Sequence, residues 1–248
     1  MPHEFEVRSE IELDATPEQV WEAIATGPGI DSWFMGRNQV EPREGGATRM
    51  TIAGTTSEHT VTAWEPPHRF ASRSSTGEDG SFMAIQYLVE GRDGGGTVLR
   101  LVHSGLMSGD DWEAEYDALQ QGWEMYLRTL AHYLTYFPGR TATPVSAWGP
   151  QQADGEQVWE GLKRGLGLTG KVTEGDPARF TLEGSTPVDG VVDAVLYPDF
   201  LGVRTGDALY RFVGRDGMVG VGHHLFADDA DQDQAERAWQ AWLARLFA

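Results

Sequence analysis

The stretch that decides the fold is TPEQVWEAIATGPGIDSWF (16–34). Thr16 is placed to cap a helix, with Pro17 at its first position, where a missing N–H costs nothing. Val20, Trp21 and Ile24 fall on one face of PEQVWEAIA, and TGPG (26–29) ends it. The centre of this stretch is written twice. EQVWE occupies 18–22 and returns at 156–160, inside DGEQVWEGL (154–162). Only the first copy continues into GIDSWF (29–34). At the second site the chain reads KRGLGLTG (163–170) instead.

Two further landmarks recur in the same order. GRDG lies at 91–94 and 214–217. GGTVLRLVHSGL follows the first and MVGVGHHLF the second; omitting Gly95 and Gly96 sets His103 opposite His224. Each half then closes in an amphipathic, Trp-bearing stretch, YDALQQGWEMYLRTLAHYL (116–134) and AERAWQAWLARLF (235–247). Three landmarks in one order are the mark of a supersecondary plan used twice. The span from EQVWE to GRDG is 73 residues in the first copy and 58 in the second, so the second is a shortened, degenerate relative. The expected division is 1–139 and 140–248, with the linker within FPGRTATPVSAWGPQQADG (137–155) and VSAW already a strand.

Periodicity supplies the elements. FEVRSEIEL (5–13) alternates as a strand does. Short strands follow the first helix: ATRMTIAG (47–54), SEHTVTAWE (57–65), HRFASRSS (68–75), SFMAIQYLVE (81–90) and TVLRLVHS (97–104), divided by Gly, Pro and Asp as in antiparallel meanders. Residues 108–137 read as one long helix, with Ser108 and Asp111 as an approximate capping box. Its apolar stripe is Tyr116, Leu119, Trp123, Tyr126, Leu127, Leu130 and Leu134. The second half repeats a helix (156–168), strands at 178–183, 188–198, 200–206, 208–214 and 218–226, and a last helix from about Asp233. The acidic run DDADQD (228–233) suits a helix start, where negative charge meets the positive end of the helix dipole.

The chain has 248 residues, 40% of them apolar and 23% charged, the composition of an ordinary globular protein. Net charge is −19, with ten bases against 22 acids up to residue 140 and nine against 16 beyond it. Such a surface repels phosphate backbones and anionic bilayers, so neither nucleic acid nor membrane is an expected partner. With no cysteine there is no disulfide, thiolate or Cys-zinc chemistry. No apolar run is long enough for a membrane helix and the polar N-terminus is not a secretory signal, so a cytoplasmic location is expected. A homodimer is compatible with all of this.

Chemistry-bearing motifs are few. No GxxxxGK[ST], GxSxG, HExxH or HxH is present, and no cofactor or metal is expected. His223 and His224 are adjacent and point to opposite faces of a strand, which keeps them from sharing a metal. His103 shares a face with Leu99 and Leu101, and His59 with Val61 and Ala63. Each reads either as a cavity acid–base or polar anchor, or as a core histidine bonded to the backbone. Met50 and Ile52, then Met83, Ile85, Tyr87 and Val89, form apolar strand faces. Arg49, of opposite parity to Met50, is expected outside. No carboxylate pair stands out, and Glu12, Glu18 and Glu22 read as surface.

The order strand, helix pair, antiparallel strands, long closing helix resembles the helix-grip, START-like fold of the SRPBCC superfamily. In residues 5–135 it is similar to bacterial homologues of the activator of heat-shock-protein ATPase, on TPEQVWEAIATGPGIDSWF, REGGATRM (43–50), VTAWEPPHRFASRS (61–74), TVLRLVHSGL (97–106) and QGWEMYLRTLAHYL (121–134). The resemblance implies an α+β fold in which a curved antiparallel sheet wraps a long C-terminal helix, present twice. It implies a cavity between helix and sheet that takes a small apolar or aromatic molecule. The residues expected on it are Trp33 and Phe34 as a lip, then Met50, His59, Met83, Ile85, Tyr87, His103, Trp123, Tyr126 and Leu127. Two alternatives stay open. Some relatives are cyclases or hydrolases, for which His103 or Tyr87, with His59, would act. The family name also suggests a protein-interaction module; the named activator works with a separate chaperone-binding segment that is not seen here, so co-chaperone activity is not expected.

Overall fold

A computed structural model describes residues 3–107, 112–152, 154–215 and 217–248. The proposed Ser108–Asp111 capping box lies outside the described residues, as does Asp216 of the second GRDG. The chain divides into two compact units, Met1–Thr141 and Ala142–Ala248.

The first unit opens with strand β1 (His3–Leu13) and helices α1 (Pro17–Ala25) and α2 (Gly27–Asp31). Strands β2 (Arg37–Val40), β3 (Ala47–Ile52), β4 (Thr55–Glu65), β5 (Arg69–Ser74), β6 (Phe82–Gly91) and β7 (Thr97–Met107) follow, and helix α3 (Trp112–Tyr136) closes it. The second unit has β8 (Thr143–Trp148), α4 (Gly155–Gly165), β9 (Pro177–Phe180), β10 (Val188–Leu196), β11 (Phe200–Arg204), β12 (Ala208–Arg215), β13 (Met218–Leu225) and α5 (Gln232–Leu246). The sheet orders are β1-β7-β6-β5-β4-β3-β2 and β8-β13-β12-β11-β10-β9, all antiparallel. The second is the first without its α2 and edge strand β2. The fold is α+β helix-grip, present twice.

The repeated EQVWE is scaffold in both units. Thr16 accepts a hydrogen bond from the Gln19 amide and donates its own amide to the Gln19 side chain. Asp154 likewise accepts from the Gln157 amide. These bonds satisfy N–H groups that the first helical turn leaves without partners. Val20, Trp21 and Ile24 are buried, as are Val158, Trp159 and Leu162. Trp21 packs edge-on against Trp64 at the end of β4, and Trp159 against Tyr197 just past β10.

GPGID forms the second helix of the expected pair, although the local signal of TGPG marks only a helix end, and β2 has no counterpart among the expected strands. Local signals are weak because α2 is one turn long. Its second glycine is required by proximity: a Cβ on Gly29 would strike the Glu22 carbonyl oxygen and the Ala23 Cα of α1. Thr26 caps α2 by accepting from the Gly29 amide. The Asp31 carboxylate then accepts from both the Asn38 amide (2.7 Å) and its side chain (3.0 Å), tying α2 to β2.

The second unit has a packed aromatic centre. Phe180, Tyr210, Phe212, His223, Trp239 and Trp242 meet with ring centroids 4.2–6.5 Å apart. The free edge of β8 is occupied by α5. Glu236 accepts from the Ser146 amide, and Gln240 bonds both the amide and carbonyl of Trp148.

Candidate functional site

In the first unit the sheet and α3 do not meet along their whole length. A cavity of about 420 Å³ lies between them. Its floor is strand faces: Met50 on β3, Ser57 and His59 on β4, Phe70 and Ser72 on β5, Met83, Ile85 and Tyr87 on β6, His103 on β7. Ala118, Leu119, Gly122, Trp123 and Tyr126 on one face of α3 form the roof. The end wall is Ile24, Ile30, Phe34, Met35 and the β2 residues Asn38, Gln39 and Val40. The space persists because the helix offers small residues. A Cβ on Gly122 would meet nothing within 4 Å.

Of the side chains nominated from sequence, Phe34, Met50, His59, Met83, Ile85, Tyr87, His103, Trp123 and Tyr126 face this one space. Trp33 and Leu127 do not. Trp33 is fully buried, and its indole N–H donates to the Ala23 carbonyl (2.9 Å), so it plugs the core behind α1 and α2 instead of forming a lip. Leu127 is buried one step off the roof face. Phe34 is the lip-forming partner, stacked on Trp123 at 5.5 Å and against Tyr126 at 4.4 Å. Among the lining residues not nominated are Ile30, Asn38, Gln39, Val40, Ser72, Ala118 and Gly122. Ser72 was readable from its alternation with Phe70, and Gly122 from its i+4 spacing to Ala118. The β2 residues carried no comparable signal.

His103 has an unusual partner. The Trp123 indole N–H donates to its Nδ1 (3.0 Å). An N–H donor can meet only an unprotonated ring nitrogen, so the proton of this neutral imidazole sits on Nε2. Burial, with His59 nearby as a second influence, pushes the His103 pKa down to about 4. Nε2 is itself buried and makes no hydrogen bond. His103 therefore accepts from an indole and does not donate to a backbone carbonyl. Burial also lowers the pKa of His59 and raises those of Tyr87 and Tyr126. Arg49, expected outside, is only partly exposed and lines the cavity at its rim. Its guanidinium is paired with Glu58 (2.7 Å) and Glu41 (3.4 Å).

His223 and His224 are both buried, and it is His223 that faces the closing helix of the second unit. It lies against Trp239 on the closing helix (4.2 Å) and accepts the Arg211 backbone N–H at Nδ1 (2.9 Å). The gapped sequence pairing of His103 with His224 is therefore one residue out of phase, and one residue on a strand reverses the face. Among the described residues no group of three or more His, Cys, Asp or Glu is arranged to hold a metal, and no helix is long and apolar enough to cross a membrane.

Residues 14–135 match the family model described as Activator of Hsp90 ATPase homolog 1-like protein. No curated protein matches the chain. Among solved structures, a protein from Mesorhizobium loti is 22% identical, over 54% of this chain and 98% of its own, with TM-score 0.47. The Aha1 dimer from Colwellia psychrerythraea is 20% identical over 52% and 96%, TM-score 0.44. DynU16, from the dynemicin biosynthetic locus, is 20% identical over 97% and 96%, TM-score 0.46. The first unit, which holds the cavity, belongs to the Activator of Hsp90 ATPase homolog 1-like family, within the SRPBCC (START-like) superfamily.

Proposed function

We propose that the first unit binds a small, largely aromatic molecule between α3 and the sheet, with no chemistry of its own. The observation behind this is the cavity of about 420 Å³, walled by Phe34, Ile85, Tyr87, Trp123 and Tyr126. Its size and its apolar lining with a few convergent polar groups are those of small-molecule sites. Phe34, Met50, His59, Met83, Ile85, Tyr87, His103, Trp123 and Tyr126 are the contacts, with Trp33 and Leu127 supporting them from behind. The geometry favours binding over acid–base catalysis by His103, because its Nδ1 is engaged by Trp123 and its Nε2 is sealed from the cavity. Native mass spectrometry of freshly purified protein, compared with its denatured mass, tests the reading. A discrete extra mass lost on denaturation identifies the ligand class. Absence of extra mass, with no uptake of added aromatic probes, overturns it.

A further inference from the structure

The polar groups on the cavity wall restrict what can enter it. His59, Ser72 and Tyr87 stand on three successive strands, β4, β5 and β6. His59 is opposite Ser74 while Ser72 is opposite Val61, and Ser72 is opposite Ile85 while Tyr87 is opposite Phe70. Each is thus two residues out of register with the next, a diagonal spacing of about 7–8 Å that crosses the floor. Tyr126 faces this track from α3. Among the described residues none of these four side chains makes a hydrogen bond, and none of their polar atoms is sealed off. All four are uncharged. Burial lowers the pKa of His59 and raises those of both tyrosines, which keeps the three in their neutral forms at neutral pH. Among the described residues the one charged side chain on the wall, Arg49, is at the rim and already paired with Glu41 and Glu58.

We infer that the cavity selects uncharged aromatic molecules bearing hydroxyl or carbonyl oxygens, over the matching carboxylates and amines and over the bare hydrocarbon. This rests on the proposed cavity binding. A hydrocarbon would displace water from the track and leave its donors and acceptors unpaired, the circumstance in which sites discriminate most sharply. A carboxylate or an ammonium would lose its hydration with no free counter-charge to meet it.

The test uses the full chain at about pH 7.5 and four probes on one tricyclic frame: phenanthrene, 9-phenanthrol, phenanthrene-9-carboxylate and 9-phenanthrylmethylamine. Binding is followed by calorimetry and by tryptophan fluorescence. The phenol is expected to bind about tenfold or more tighter than each of the other three. Tyr126→Phe and Ser72→Ala should each weaken the phenol by about three- to tenfold relative to phenanthrene, narrowing the ratio between the two, because each removes a polar group that the phenol pairs and the hydrocarbon leaves unpaired. Phenanthrene binding as tightly as the phenol, or the carboxylate or amine binding as tightly, overturns the selection while the cavity reading stands. Binding of none of the four removes both.

Discussion

The two units share a strand order, a capped EQVWE helix and a histidine set against a tryptophan of the closing helix, yet only the first encloses the described cavity. The difference lies in what meets the sheet. In the first unit α2 and β2 extend the end wall, and α3 presents Ala118 and Gly122 to the sheet. In the second, α2 and β2 are missing, and α5 presses Trp239 and Trp242 onto Phe212 and Phe180. The histidines diverge accordingly. His103 accepts from the indole of its tryptophan, whereas His223 accepts from a backbone amide and uses its tryptophan only as an apolar neighbour. One plan therefore supports a cavity in one unit and a packed aromatic centre in the other, with the side chains that the closing helix presents as one part of the difference.

The largest expected effect removes the solid core. Trp239→Ala should cost about 3–5 kcal/mol, because the void cannot be refilled by its aromatic neighbours; urea unfolding measures it, and a loss under about 1 kcal/mol would show that the cluster is dispensable. Next, Trp123→Phe takes the donor from His103 Nδ1 and should cost about 1–3 kcal/mol. Nitrogen NMR of the His103 ring, protonated at Nε2 in the parent protein, should change in that variant, and no change would exclude the proposed tautomer lock.

Lowering pH tests the buried histidines of both units together. The His59, His103 and His223 pKa values all lie below the ordinary 6.5, His103 at about 4 and His223 well below normal. Above pH 6.5 neither the folded nor the unfolded chain protonates them, and their contribution to stability is fully present. Below pH 6.5 the unfolded chain binds protons that the folded chain refuses, so stability falls, by up to about 1.4 kcal/mol per pH unit for each ring. For His103 the loss levels off below about pH 4. Replacing His103 or His223 by Phe should flatten this slope, and an unchanged slope would show that the variant's histidine does not contribute to it. The smallest effect sharpens the contrast from the other side. Gly122→Leu should stabilise the first unit by about 1 kcal/mol through helix propensity while filling the cavity and abolishing probe uptake. Undiminished binding would place the probe elsewhere.

Much of the fold was legible in the sequence. Thr16, Pro17 and the face of Val20, Trp21 and Ile24 specify α1 locally, and the alternation of β1 and the meander strands follows from one wet and one buried face. Helix α2 was expected only as the second of a helix pair, without a local signal of its own, and strand β2 was not legible. A one-turn helix and a four-residue strand hold too few residues to show a period, and they persist through Gly29 packed on α1 and Asp31 bonded to Asn38.

By itself the sequence determined that one supersecondary plan is used twice, that its helices and strands fall in a helix-grip order, and that the first closing helix bears Trp123 on its apolar stripe. These depend on spacing along the chain, which the sequence states directly. Only the tertiary structure decided that Phe34 and not Trp33 meets the cavity, that His223 and not His224 is the counterpart of His103 that faces the closing helix, and that a void exists at all. Neighbouring residues on a turn or strand point in different directions, so one position changes which surface a side chain meets even where both are buried. A void is the space that no side chain reaches, and that depends on how distant segments pack, not on any residue's own character.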